Sequence, residues 1–205
     1  MLSTLFSNPL LFLVWAVGLV LAISVHEYCH AAMADRLGDP TPRASGRLTL
    51  DPRAHLDPLG TLALLFLGFG WGRPVMFDPY NLRNPRRDSA LIALAGPISN
   101  LVFATILSLI MRFLPGGNVL NAVISILIMM NISLAVFNFV PIFPLDGEKI
   151  LGGLLPPALY EEYTGIMRQF GTIILILMLL PIAGGNSPIS LLITPAINAI
   201  SKLLL

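Results

Sequence analysis

Charged residues cluster along this chain, and the uncharged runs between the clusters set its architecture. Leu10 to Val25 is one such run of sixteen residues. It predicts a helix over roughly 9–35, stopped by Gly38 and Pro40 in "ADRLGDP". A second run, Ser89 to Met111, has 23 uncharged residues, and a third, Phe113 to Leu145, has 33. A helix needs about 20 apolar residues to cross the hydrocarbon core. Each of these runs is therefore read as a span, the third followed by a Pro-rich tail, "VPIFPLD". Gln169 to Ser201 adds another 33 uncharged residues, interrupted by "PIAGGNSP". That pattern predicts either two short spans or one span with a re-entrant end.

Residues 36–88 read differently. "GRLTLDP" alternates like a short strand, and Pro58 to Gly72 is an uncharged stretch of 15 residues with four glycines, Gly60, Gly68, Gly70 and Gly72. It is short for a crossing and is expected to be re-entrant or interfacial. Such backbone survives at membrane depth only when buried in protein or lining a wet cavity. The fold expected is an all-α polytopic membrane protein, a bundle of about four to five transmembrane helices, with a re-entrant or short β segment after the first span. Residues 1–205 are read as one integral-membrane domain.

Composition agrees with this picture. Hydrophobic residues make up 56% of the chain and charged ones 11%, with a mean hydropathy of +0.83. The net charge of +1 gives no reason to expect nucleic acid. One cysteine, Cys29, excludes an intrachain disulfide. The absence of Lys or Arg before Arg36 argues against a secretory signal and for an uncleaved first span. Eight of the twelve basic residues fall in 36–88, and Lys149 and Arg168 follow the third span. The positive-inside rule then places 36–88 and 146–168 in the cytoplasm and the N-terminus outside.

The first span ends in "SVHEYCHAAM". Ionisable groups are costly in hydrocarbon, so His26, Glu27 and His30 mark a functional site. They form an H-E-x-x-H pattern, in which histidines at i and i+4 share a helical face and both reach one zinc ion. The glutamate beside the first histidine is placed to hold the water that the metal activates. The chain has three histidines in all, and two lie in this five-residue window. His30 precedes Arg36 by roughly 9 Å of helix, which sets the cluster towards the cytoplasmic face of the cell membrane.

Catalytic zinc takes three protein ligands and keeps one position for water. The candidates for the third are His55, Asp57 and Asp146. Asp146 is favoured because Pro141 and Pro144 break the preceding helix near the depth of His30, and Asp146-Gly147 starts a new segment. Its alternative role is an N-cap. Asn131 and Asn138, seven residues apart, share a helix face that is expected to point into the bundle. Gly96, Pro97 and Asn100 read as a kink with close helix packing, and His55 as structural.

Together, the H-E-x-x-H of the first span, "LAGPISN" and "NFVPIFPLDG" resemble the site-2 protease family of zinc intramembrane metalloproteases. "GDPTPRASGRLTLDPRAHLDPLGTL" is similar to the stretch after the active-site helix in compact prokaryotic members. The likeness covers residues from about 20 to 155. It implies one Zn²⁺ per chain held by His26, His30 and Asp146, with Glu27 as general base. It also implies that Asn138 orients substrate or stabilises the oxyanion, an interhelical hydrogen bond being the alternative. The substrates implied are single-span membrane proteins in the lipid bilayer. The family's PDZ or CBS sensor modules have no room in these residues. An extended substrate is expected to pair with an edge strand, for which "GRLTL" at 46–50 is the candidate. The alternatives carried forward are a metal-ion transporter or binding protein and a zinc peptidase acting on soluble or lipidated substrates.

Overall fold

The computed structural model describes residues 6–67, 71–182 and 185–205. Seven helices organise them: α1 (Pro9–Arg36), α2 (Pro58–Leu67), α3 (Pro85–Arg112), α4 (Val119–Asn138), α5 (Asp146–Leu154), α6 (Pro157–Leu179) and α7 (Pro188–Leu204). Single helical turns at Thr41–Ala44, Pro52–Ala54 and Pro79–Asn81 punctuate the connections. Proline opens five of the seven, at positions 9, 58, 85, 157 and 188. Its fixed φ suits the first turn, where the missing N–H has no intrahelical acceptor anyway. Asn8 caps α1 by accepting from the Leu11 N–H at 3.0 Å, and Asn118 caps α4 by accepting from Asn121 at 2.9 Å.

Helices α1, α3 and α4 pack against one another, and among the described residues they are the three long and apolar enough to cross a membrane. Their outer faces carry Leu10, Leu13, Val17 and Leu21 on α1, and Ile98, Val102, Ile106 and Leu109 on α3, all exposed. Their inner faces bury Ser24, His26, Asn100, Ser108 and Asn131. Apolar groups outside and polar groups inside is the arrangement lipid imposes, since hydrocarbon satisfies no hydrogen bond. Residues 169–201, left open between one span and two, contain the end of α6 and most of α7. Neither is among the three. Helix α6 carries Glu161, Glu162 and Arg168, and α7 has 17 residues. Ile193 and Ile197 of α7 pack on a core of Ala104, Ile124, Ile128, Ile132 and Val136 between α3 and α4.

The strand expected at "GRLTL" is absent. Gly46 takes a φ of +69°, and the Arg47 N–H returns to Pro42 O at 2.8 Å, so residues 46–50 turn instead of extending. Pro52, just beyond, opens a helical turn. Among the described residues the β pairing is one isolated antiparallel bridge, Leu56 to Gly72. Of the glycine-rich stretch, residues 58–67 form α2, while Gly68 and Gly70 lie outside the described residues. The re-entrant reading of that stretch is correspondingly untouched.

Asp39 binds the polar segment after α1 to the rest. It is fully buried, and its carboxylate accepts from Thr41 N at 3.1 Å, Thr41 Oγ1 at 2.6 Å, Asp78 N at 2.7 Å and Asn81 Nδ2 at 2.8 Å. Burial raises its pKa, but these four bonds outweigh it and hold the carboxyl below its ordinary range. The segment after α1 is thereby tied together next to the C-terminal end of α1, where the Asp39 N–H also bonds Ala34 O at 3.0 Å.

Candidate metal centre

His26 and His30 lie one turn apart on α1, with ring centroids 4.5 Å apart and planes at 86°. The i, i+4 spacing puts both rings on the face turned towards α3 and α4, and both are buried. Each ring is held at Nδ1 by a group on α3. His30 Nδ1 is 2.7 Å from Ile92 O. A carbonyl only accepts, so His30 Nδ1 carries the proton. His26 Nδ1 is 2.7 Å from Asn100 Oδ1. The same amide donates from Nδ2 to Ala22 O at 3.1 Å, which fixes its oxygen on the imidazole, so His26 Nδ1 also donates. An imidazole that keeps its proton on Nδ1 has its lone pair on Nε2, the atom a metal would take.

Those two lone pairs converge. His26 Nε2 and His30 Nε2 are 2.9 Å apart, and Asp146 Oδ2 lies 3.0 Å from the first and 3.2 Å from the second. Three acceptors facing one point repel unless a positive centre lies among them. Tetrahedral zinc with N and O ligands at its usual bond lengths spaces its donors about 3.3 Å apart. The observed set needs adjustments of only a few tenths of an ångström, so the residues present fit Zn²⁺. Among the described residues, His26, His30 and Asp146 form the cluster able to hold a metal.

Asp146 reaches this point because the chain breaks where the sequence predicted. Helix α4 ends at Asn138, and α5 begins at Asp146 with Leu145 as its N-cap residue, so Asp146 is not itself the cap. Gly147 follows for want of space. A Cβ there would collide with the carbonyl oxygens of Phe139 and Val140. The other two third-ligand candidates are engaged elsewhere: His55 is fully buried with its Nε2 2.7 Å from Thr49 O, and Asp57 Oδ1 accepts from the Gly60 N–H at 2.7 Å. Asn138 donates to Leu134 O on its own helix at 3.0 Å.

The Glu27 carboxylate is half-buried. Its Oε2 accepts from the Val75 N–H at 3.0 Å. The backbone of residues 71–75 passes across it closely, since a Cβ on Gly72 would lie 2.9 Å from Ile23 Cγ2 and 3.9 Å from Glu27 Oε1. Arg47, also buried, fastens this segment from the other side by donating to the carbonyls of Ala54 and Arg73. Burial first, then neighbouring Arg73, lowers the Arg47 pKa, and Glu27 opposes both. Neither Val75 nor Ile92 carried a sequence signal, because each acts through its backbone. Asn100 and Gly96 were visible only as a packing motif.

Gly96 packs against the donors themselves. A Cβ added there would sit 2.5 Å from His30 Nε2 and 2.6 Å from His26 Nε2. Gly96→Ala is therefore expected to strip most zinc from the purified protein, as read by elemental analysis. Gly165→Ala, with nothing within 4 Å of the new methyl, is the control that retains it. Full zinc in Gly96→Ala would show that the donors do not converge as described.

The comparisons with known proteins agree with this centre. A profile described as Peptidase family M50 matches residues 117–178. YwhC of Bacillus subtilis (strain 168) is 35% identical over 192 residues, covering 89% of this chain and 85% of its own. Rip2 of Mycobacterium tuberculosis (strain ATCC 25618 / H37Rv) is 33% identical over 183 residues, 85% of this chain and 70% of its own. The names of both carry the words zinc metalloprotease. No solved structure matches the chain. A metalloprotease assignment displaces the transporter alternative, and with its three long apolar helices and its zinc-binding chemistry the chain belongs to peptidase family M50, the site-2 proteases.

Proposed function

We propose that this protein is a zinc endopeptidase that hydrolyses peptide bonds in or near transmembrane segments of single-span membrane proteins. His26, His30 and Asp146 hold the metal and Glu27 is the general base. The convergence of two Nε2 lone pairs and one carboxylate oxygen inside an apolar bundle carries this reading. Nothing in the lipid bilayer justifies burying three such groups unless they bind something.

Bound Zn²⁺ supplies Lewis-acid chemistry, bringing the pKa of a water towards about 7 and polarising a carbonyl. Glu27 takes a proton from the attacking water as its oxygen bonds to the scissile carbon. It then returns that proton to the nitrogen as the C–N bond breaks, leaving a carboxylate and an amine. The Val75 N–H steadies the carboxylate through Oε2. Asn100 and Ile92 steady the two imidazoles. Asn138 stands at the end of α4, eight residues before Asp146 in sequence, and is assigned to orienting substrate.

Glu27→Gln is expected to lose about 10²–10⁴-fold in cleavage of a transmembrane substrate while zinc content stays near wild type. The carboxamide cannot accept the proton, whereas the ligand set is intact. Cleavage close to the wild-type rate would refute the assignment of Glu27.

Asp146→Asn keeps the size of the third donor and removes the charge that offsets the metal. Zinc content should fall sharply in this variant and stay high in His55→Ala after identical purification. The opposite pattern would transfer the ligand role to His55.

The basic residues of 36–88, with Lys149 and Arg168, support an orientation with the site towards the cytoplasmic side of the cell membrane. In a Cys29→Ala background, single cysteines at the exposed positions Ser45 and Asn118 should label from opposite sides. Labelling of both from outside would overturn this topology.

A further inference from the structure

Two buried amides link the three core helices directly behind His26. Asn100 on α3 and Asn131 on α4 are both fully buried. Asn100 Nδ2 donates to Asn131 Oδ1 at 2.8 Å and to Ala22 O of α1 at 3.1 Å. Asn131 Nδ2 donates to Leu127 O at 2.9 Å. Each amide orientation is forced by a carbonyl that can only accept. Leu127 O takes the NH₂ of Asn131, which turns its oxygen to Asn100. Ala22 O and that oxygen together take both N–H groups of Asn100, which turns the Asn100 oxygen to His26.

We infer that Asn100 and Asn131 form a directional relay of positioning residues that fixes the tautomer and ring orientation of His26. The relay runs one way only: Leu127 O, Asn131, Asn100, His26 Nδ1. Reversing any amide sets two oxygens or two N–H groups against each other at fully buried positions. The proton is held on Nδ1, and Nε2 is left as a lone pair aimed at Asp146 Oδ2. The relay also joins the two sources of donors. His26 comes from α1, while Asp146 follows the helix that carries Asn131, so one chain of bonds sets the spacing of both. The amides are thus more than interhelical packing groups. This inference rests on the metal-site reading above.

The test measures Zn²⁺ affinity of the detergent-purified protein by competition with a chromophoric chelator, together with thermal stability. Asn100→Leu removes the acceptor for His26 and should weaken binding about 10–100-fold, the range for a lost partner of a ligand histidine. Asn100→Asp keeps an acceptor oxygen for His26 while burying a charge and giving up the N–H donors. It should bind zinc more tightly than Asn100→Leu, even where it is the less stable protein. Asn131→Leu leaves Asn100 in place without its second acceptor and should show a smaller loss than Asn100→Leu. A merely structural role gives the reverse order, with zinc affinity following stability. Wild-type affinity in folded Asn100→Leu, or equal losses in the Leu and Asp variants, would overturn the relay. If the Asn100 variants do not fold, Asn131→Leu decides, and wild-type affinity in it overturns the proposal. Failure of the metal-site reading looks different: zinc binding would then be indifferent to Asp146→Asn in an otherwise unaltered chain.

Discussion

Three electron-pair donors meet at one point inside an apolar bundle, and most of the surrounding structure can be traced to that requirement. Two imidazole nitrogens and a carboxylate oxygen within 3.2 Å of one another repel in the absence of a cation. Holding them there requires rings that cannot turn and a backbone that leaves no other place for the carboxylate. The first is met at Nδ1 of each histidine, by Asn100 for His26 and by Ile92 O for His30. The second is met by Pro141, Pro144 and the crowded Gly147, which end α4 and start α5 at the right depth. A metal ion shared by the three would provide the attraction that makes the arrangement favourable.

Close approach of helices is the second consequence. Imidazoles on α1 reach the backbone and side chains of α3 only if the two helices are near, and small residues make that possible. Gly96 faces both imidazole rings, while Gly18 faces Leu127 and Met130 of α4, where a Cβ would lie 2.5 and 2.9 Å away. Ala22, Ala31 and Ala34 continue the narrow side of α1 and are fully buried. In lipid, helix association draws on packing and hydrogen bonds instead of hydrophobic burial, so small residues and buried amides carry the assembly. Here the same groups also aim the ligands.

The gathering of the candidate ligands was more legible than the path of the chain. The H-E-x-x-H pattern placed His26 and His30 on one face because helical periodicity is a local property, and the structure agrees. Asp146 was legible because two prolines announced a break. The spans of α1, α3 and α4 followed from uncharged runs. Alternation at 46–50 misled, since Gly46 at positive φ and the return of the Arg47 N–H to Pro42 are contacts that periodicity does not register. Asn100 was read as part of a packing motif, and its bond to His26 was not legible because that partner is 74 residues away in sequence. Backbone contributions from Ile92 and Val75 leave no trace in side-chain identity.

The polar segment beside Glu27 follows the same rule as the bundle. Irregular backbone next to a membrane helix needs partners for its N–H groups, and this segment finds them one by one. Gly72 pairs with Leu56, the Arg73 N–H bonds His55 O at 2.7 Å, and Pro74 has no N–H to satisfy. Val75 then bonds Glu27, and Asp78 bonds Asp39 at 2.7 Å. His55, which sequence reading weighed as a third ligand, instead supplies the carbonyl that anchors this segment. Glu27 is thereby placed where the dry bundle meets a polar region containing Arg47 and the exposed Arg73. The hydrolysis proposed above needs both environments within one side chain's reach. Three donors that could share a metal gather in the dry interior, and the carboxylate one residue along α1 is bonded to the backbone of a polar segment.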